Sequence, residues 1–238
     1  MKEKVLIIIP AYNEEGNILK VYKSIINYNK KYKTNYNVIV INDCSLDKTS
    51  EICHKNNIPV IDLVHNLGIG GAVQTGYKYA FMNNYDIAVQ FDGDGQHNIE
   101  YVKKIIDPII NSKADMVIGS RFIENVDTFQ STFMRRLGIK IISFFIKLFT
   151  KKKVYDTTSG FRACGKDIIK KFKNNYSIEY PEPITTVELL KEGYKIDEVS
   201  VKMNEREKGL SSIHTWKKVY YMINVILSIT VVGLRRNK

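Results

Sequence analysis

Cysteine is scarce in this 238-residue sequence: Cys44, Cys53 and Cys164 are odd in number and include no Cys-x-x-Cys pair. Neither a disulfide scaffold nor a structural zinc site is therefore implied, and a reducing compartment is expected. Long apolar runs are also missing. The apolar core of MKEKVLIIIPAYNEE is too short for a signal peptide, so export is not expected. The run from Val219 to Leu234 has 16 residues and is interrupted by Asn224, Ser228, Thr230 and Gly233. It falls short of the roughly 17 to 25 residues that span a bilayer. Acid is absent from one whole segment, Thr128 to Tyr155.

Positive charge and apolar side chains are what the sequence does have. Lys and Arg number 36 against 25 Asp and Glu, a formal net charge of +11, and 44% of residues are hydrophobic. That is enough to build one large domain with its own core, and it excludes disorder for most of the chain. A basic surplus admits nucleic acid, an anionic membrane surface or a phosphorylated small substrate as partner.

The first half alternates strands and helices. Apolar runs at Val5–Ile9, Asn37–Ile41, Pro59–Val64, Asp86–Phe91 and Asp115–Ile118 predict five strands. Helical patterns follow Asn13–Glu15, Ser45–Asp47 and Gly68–Gly71, and another surrounds Val102–Ile110. Continuous apolar strands alternating with helices predict an α/β fold with a mainly parallel sheet flanked by helices. Such sheets bind ligands at the carboxyl ends of their strands.

Beyond about residue 120 the rhythm changes. On a helix over about residues 132–152, Arg136, Lys140, Lys147 and Lys151 fall on one narrow stripe, and the rest of the circumference is almost entirely apolar. A helix lying in a membrane interface has this pattern, and so does a core helix with a basic edge; the first is expected here. Residues 214–238 repeat the theme, with Trp216, Lys217 and Lys218 before the apolar run and Arg235, Arg236 and Lys238 after it. This is expected to be a second membrane-associating helix, interfacial, re-entrant or docked on a membrane partner, with a packed core helix as the other reading. The seven cations from Arg135 to Lys153 and the five after Ile213 exceed the whole surplus of +11 by one. The rest of the body, residues 1–213 without that helix, is nearly neutral, so a membrane surface is expected and nucleic acid is not.

The strongest local motif is Asp92-Gly93-Asp94-Gly95-Gln96-His97 after the Asp86–Phe91 run. Two carboxylates at a strand end, among glycines that admit a ligand, suit a divalent cation bridging a diphosphate. An EF-hand is excluded, because His97 and Lys103 stand where its Gly and Glu belong. Asp43 ends the Asn37–Ile41 run and suits a ribose or base, although it and Asp47 also suit a turn and helix cap; for Asp47 the cap is preferred. Asn66-Leu67-Gly68-Ile69-Gly70-Gly71 lacks the last glycine and the partner acid of a dinucleotide fingerprint. Arg206, Lys208, Gly209, Ser211 and Ser212 form a polar basic loop able to neutralise a leaving diphosphate if a nucleotide is bound nearby.

In order along the chain, residues 8–15, 42–47, 66–72, 92–97, 119–122, 158–162 and 206–212 together resemble family-2 glycosyltransferases, most closely the dolichyl-phosphate mannose synthase-like branch. The resemblance implies a GT-A fold and an inverting, metal-dependent transfer of a hexose from a nucleotide-diphosphate sugar, in cell-surface glycan assembly. By position it puts Pro10, Ala11, Tyr12, Glu14 and Asp43 at the base and ribose, and Asp92 and Gly93 at the ribose and diphosphate. Asp94, assisted by Gln96, would hold Mg2+ or Mn2+. Arg121, Arg206, Lys208 and Ser211 would line the phosphates, and Ser159, Gly160, Phe161 and Arg162 would face the acceptor.

Relatives that glycosylate hydroxyl groups often carry a Glu-Asp pair and a later Gln-x-x-Arg-Trp segment, and this chain has neither. Glu182, between Pro181 and Pro183, is the base candidate; its other reading is a turn before a helix. A hydroxyl nucleophile must lose a proton, whereas a lipid phosphate is already ionised. Polyprenyl phosphate and a lipid-linked glycan hydroxyl both remain acceptors, at the cytoplasmic face of the membrane. A membrane-protein partner or self-association is compatible with this reading. A non-catalytic nucleotide-sugar-binding or membrane-recruiting subunit is the competing function, against which the intact acids argue.

Overall fold

The computed structural model describes residues 3–123, 133–204 and 215–235. Among them, β1 (Val5–Ala11), β2 (Asn37–Asn42), β3 (Val60–Asp62), β4 (Ile87–Gln90), β5 (Met116–Ser120), β6 (Arg162–Gly165) and β7 (Ile196–Ser200) form one sheet in the order β3-β2-β1-β4-β6-β5-β7. The helices are α1 (Ile18–Tyr32), α2 (Thr49–Lys55), α3 (Gly68–Met82), α4 (Val102–Ile110), α5 (Phe133–Thr150), α6 (Lys166–Phe172), α7 (Pro181–Lys191) and α8 (Thr215–Leu234). All pairings are parallel except those of β6, which runs antiparallel to both β4 and β5.

All of β1 is buried because helices cover both faces of the sheet. Alternate side chains serve opposite layers. Ile7 and Ile9 pack with Ile18, Val21 and Ile25 of α1 and Val102 and Ile105 of α4. Leu6 and Ile8 pack with Val73 and Tyr77 of α3 and, farther along that layer, Ile142 of α5 and Val225 of α8. The chain steps outward from β1 through β2 to β3, then returns to place β4 on the other side of β1. A reversal of this kind opens a crevice at the carboxyl ends of β1 and β4, the usual ligand position in open α/β sheets.

The five expected strands and the helices between them are present, and the sheet is mainly parallel. β6, α6 and β7 were not legible in advance. The sequence of β6, Arg-Ala-Cys-Gly, has no apolar run although all four residues are buried, and β7 carries Asp197 and Glu198 because it is an edge strand.

One face of α5 belongs to the core and the other is exposed. Ile139, Ile142 and Ile146 are buried, whereas Leu137, Phe144 and Leu148 are 41%, 62% and 58% exposed beside the exposed Arg136, Lys140 and Lys147. On α8, Val225 and Ile229 are fully buried, while Tyr220, Ile223, Leu227, Val231 and Leu234 form an exposed stripe. The Lys191 ammonium donates to the carbonyls of Val232 and Gly233, satisfying last-turn acceptors that a helix end leaves open. The expected boundary at residue 213 lies outside the described residues, and α8 beyond it joins the same apolar layer as α3 and α5. Among the described residues no helix is long and apolar enough to cross a membrane.

Candidate active site

Three loops meet over the crevice. After β1, the Asn13 N–H donates to Ser45 Oγ and the Glu15 N–H to Asp47, while the Leu46 and Lys48 N–H groups donate back to Asn13 and Glu15. These reciprocal bonds fix the segment carrying Pro10, Ala11, Tyr12 and Glu14 against the segment carrying Asp43. Pro10 and Ala11 are buried, Glu14 is half-buried and Tyr12 is 46% exposed. Asp43 is buried: its N–H donates to the Ala11 carbonyl and its Oδ1 accepts the Leu67 N–H at 2.7 Å, which ties in the start of α3. In the turn that precedes α2, whose N-cap is Lys48, Asp47 accepts from the N–H and hydroxyl of Thr49. Burial alone would raise its pKa, but hydrogen bonds from Thr49 and Glu15 outweigh that and lower it.

The third loop follows β4. Gly93 packs on the first, a Cβ there standing 3.2 Å from the Pro10 carbonyl and 3.5 Å from Glu14 Cγ. Gly95 takes φ +79°, the left-handed conformation that reverses the loop. The Gln96 backbone N–H donates to Asp94 Oδ1 at 3.0 Å, which folds the loop between the two residues expected to hold a cation. Asn204 braces the loop from outside, its N–H donating to the Gln96 carbonyl and its Nδ2 to the Gly95 carbonyl. Among the described residues no three His, Cys, Asp or Glu side chains form an all-protein metal site.

His97 is the loop's inner pillar. It is buried between Phe161, stacked at 4.7 Å between ring centroids, and the edge-on Phe91. Burial pushes its pKa down to about 4, the Arg121 charge lowering it further while Asp94 and Asp156 oppose. It is therefore neutral near pH 7, and its Nδ1 accepts the Asp92 N–H at 2.9 Å.

Of the four residues expected to face an acceptor, three are buried and Gly160 is half-buried. Ser159, Phe161 and Arg162 are at most 2% exposed. The Ser159 hydroxyl donates to the Gly119 carbonyl, and Arg162 donates to the carbonyls of Ser159, Thr157 and Glu182 and to Thr186. They form the floor that carries Gly160, the half-buried member of the set, whose absent Cβ would stand 2.8 Å from Gln90 Nε2 and 3.1 Å from Asp92 Oδ2. An alanine there would push the Gln90 amide and the Asp92 carboxylate aside.

Arg121 also differs from expectation. Its Nε and one terminal nitrogen grip both oxygens of Asp156 at 2.7 Å, and its own N–H donates to the same carboxylate. Both side chains are buried, at 5% and 0% exposure. The guanidinium is thus held in a bidentate ion pair and also donates to Thr158. Glu198 accepts the Tyr155 and Asp156 N–H groups and fixes the partner segment.

Glu182 lies in the first turn of α7. Burial raises its pKa, the Arg162 charge lowers it, Asp92 raises it and a hydrogen bond from Gln90 lowers it, leaving it above the usual range. Arg206, Lys208 and Ser211 lie outside the described residues. Gln90, Asp156 and Asn204 are site residues that the motifs do not mark. Asp156 did have a signal, as the first acid after the acid-free segment and just before the Thr158–Arg162 motif.

Comparison with known proteins bears out the resemblance. An N-acetylglucosaminyltransferase of Methanococcus voltae, named for UDP-N-acetylglucosamine and dolichyl phosphate, is 36% identical over 189 residues, covering 71% of this chain and 73% of its own. The polyprenol monophosphomannose synthase of Mycolicibacterium smegmatis is 25% identical over 224 residues, covering 89% and 81%. In fold, the chain is similar to glucosyl-3-phosphoglycerate synthase from Mycobacterium tuberculosis, solved with Mn2+, UDP and phosphoglyceric acid, with a TM-score of 0.71 at 15% identity over 99% of this chain and 80% of that one. The model of glycosyl transferase family 2 matches residues 6–173. The chain belongs to that family, and it is a glycosyltransferase of GT-A fold.

Proposed function

We propose that the enzyme transfers a hexose, with inversion, from a nucleotide-diphosphate sugar to a polyprenyl phosphate. The observation that carries this reading is the meeting of the Asp92–Gln96 loop with the Pro10–Glu14 and Asp43 segments at the crevice where the sheet reverses. The names of the Methanococcus and Mycolicibacterium relatives support the donor and acceptor classes.

Pro10, Ala11, Tyr12, Glu14 and Asp43 hold the base and ribose in this reading, and Asp92 with Gly93 borders the diphosphate. The Asp94 carboxylate and the Gln96 side-chain carbonyl are hard oxygen donors on one loop and would hold Mg2+ or Mn2+. When bound, the cation supplies positive charge for the departing diphosphate. Arg206, Lys208 and Ser211 keep their assignment to the phosphates. Arg121 is reassigned as a clamp on Asp156, and Ser159, Phe161 and Arg162 as the support of Gly160. A phosphate acceptor needs no base, so Glu182 acts through its charge.

A thermal-shift panel of nucleotide sugars with and without Mn2+ tests donor binding. Ligand at 100 times its dissociation constant stabilises by about 2.7 kcal/mol, which in a chain of this size raises Tm by roughly 5 to 11 °C. The expected result is such a rise for one nucleotide sugar, dependent on Mn2+; no rise with any would overturn the reading.

The exposed faces of α5 and α8 support a peripheral seat on the cytoplasmic membrane face. Leu137, Phe144 and Leu148 lie on one stripe of α5 next to its cations, the arrangement of an interfacial helix. Flotation with anionic liposomes is expected, and Phe144→Glu with Leu227→Glu should reduce it at least about tenfold, since each burial lost is worth roughly 1.5–3 kcal/mol. Binding to DNA at the same salt without flotation would contradict this seat.

A further inference from the structure

Gln90 ends β4 directly below the carboxylate loop and is 1% exposed. Its Nε2 lies 3.4 Å from Asp92 Oδ1, and the same side chain is the hydrogen-bonding group that holds the Glu182 pKa down against burial. Among the described residues its Oε1 is buried with no hydrogen-bond partner. Buried polar atoms are normally paired, so an orphan carbonyl here calls for an explanation. Turning the amide over would not remove the problem: it would set the carbonyl against two carboxylates, which repel it. The two acids therefore dictate the orientation, and the unpaired oxygen is the consequence.

The surroundings hold the group in place. Gly160 leaves room for Nε2 on one side, and His97 fixes the Asp92 backbone on the other. The Arg162 guanidinium, opposite Gln90 in the β4–β6 register, donates to the backbone carbonyls of Ser159, Thr157 and Glu182. Among the described residues, the amide of Gln90 is thus the neutral donor that links the two carboxylates across the floor of the crevice.

We propose that Gln90 is a positioning residue for sugar transfer: its amide holds the Asp92 and Glu182 carboxylates together as one fixed anionic surface for the reacting sugar. The inference rests on the transfer reading above. In that reaction the bond from the anomeric carbon to the diphosphate oxygen breaks and its electron pair leaves with the diphosphate. A lipid-phosphate oxygen forms the new bond from the opposite face. Between the two events the sugar carbon is positively charged, as in other glycosyl transfers. Oriented carboxylates stabilise that charge more than they stabilise the bound donor, so their alignment acts on turnover rather than on donor affinity.

The test is Gln90→Met, which keeps the length of the side chain and removes both amide functions. Turnover is expected to fall at least about thirtyfold, less than the roughly 100- to 1,000-fold loss when a group touching the transition state is removed. The nucleotide-sugar dissociation constant in Mn2+ should stay within about threefold, because the lost alignment matters in the transition state. Gln90→Asn, whose amide is one methylene too short to join both acids, should behave in the same way and serves if the Met variant does not fold. Turnover within about threefold of wild type in either folded variant overturns the proposal, as does a loss confined to donor affinity. Failure of the wild-type enzyme to transfer from any nucleotide hexose would overturn the transfer reading instead.

Discussion

Replacing Asp94 by alanine is expected to lower Mn2+-dependent sugar transfer at least about 100-fold, the scale on which losing transition-state charge stabilisation registers. The loss should appear without unfolding, because the loop has other anchors. Asn204 holds the Gln96 and Gly95 carbonyls, and His97 holds the Asp92 N–H. Asp94 itself contributes a hydrogen bond to the Gln96 N–H, whose removal costs about 1 kcal/mol of stability. Gln96→Ala should cost less transfer and weaken Mn2+, measured as the concentration giving half-maximal rate. Full activity in Asp94→Ala would remove the cation from the place assigned to it.

Arg121→Met should instead act on folding. It leaves the buried Asp156 carboxylate without the guanidinium that grips both its oxygens, and breaking a buried pair from one side costs about 3–5 kcal/mol. In a chain of this size that lowers Tm by roughly 6 to 20 °C. Pairing it with Asp156→Leu should restore most of the loss, since an apolar pair of similar volume removes the stranded charge. Urea unfolding of the two single variants and the double variant measures the coupling. A phosphate ligand would behave in the opposite way, with Tm unchanged and donor affinity reduced.

Arg121 also shows where reading from sequence stops. The Gly-Ser-Arg-Phe motif marks a cation after a strand, but its partner Asp156 lies 35 residues away, beyond α5, and only the folded chain shows that the two meet. The strands β1, β2 and β4 were legible because both of their faces are covered, which leaves unbroken apolar runs. The Asp92–Gln96 loop was legible for a different reason: acids and glycines at a strand end have few structural uses together. β6 was hidden because its buried face is built from an arginine, an alanine, a cysteine and a glycine, with Arg162 satisfied by carbonyls rather than by a visible acid. Gln90 was hidden inside a strand that explains itself by burial. The helix α5 was half legible. Its cationic stripe was correctly placed outward, but periodicity alone could not tell which of its apolar residues turn inward, and Ile139, Ile142 and Ile146 do.

Direct assay of the acceptor tests the central claim: purified enzyme incubated with nucleotide hexoses and Mn2+, with polyprenyl phosphate in one vessel and the dephosphorylated polyprenol in the other. The account predicts a hexosyl polyprenyl phosphate that forms with the cation, fails to form with a chelator, and has no counterpart from the free alcohol. Transfer to the alcohol with the phosphate ignored, or no transfer from any nucleotide hexose, would contradict it.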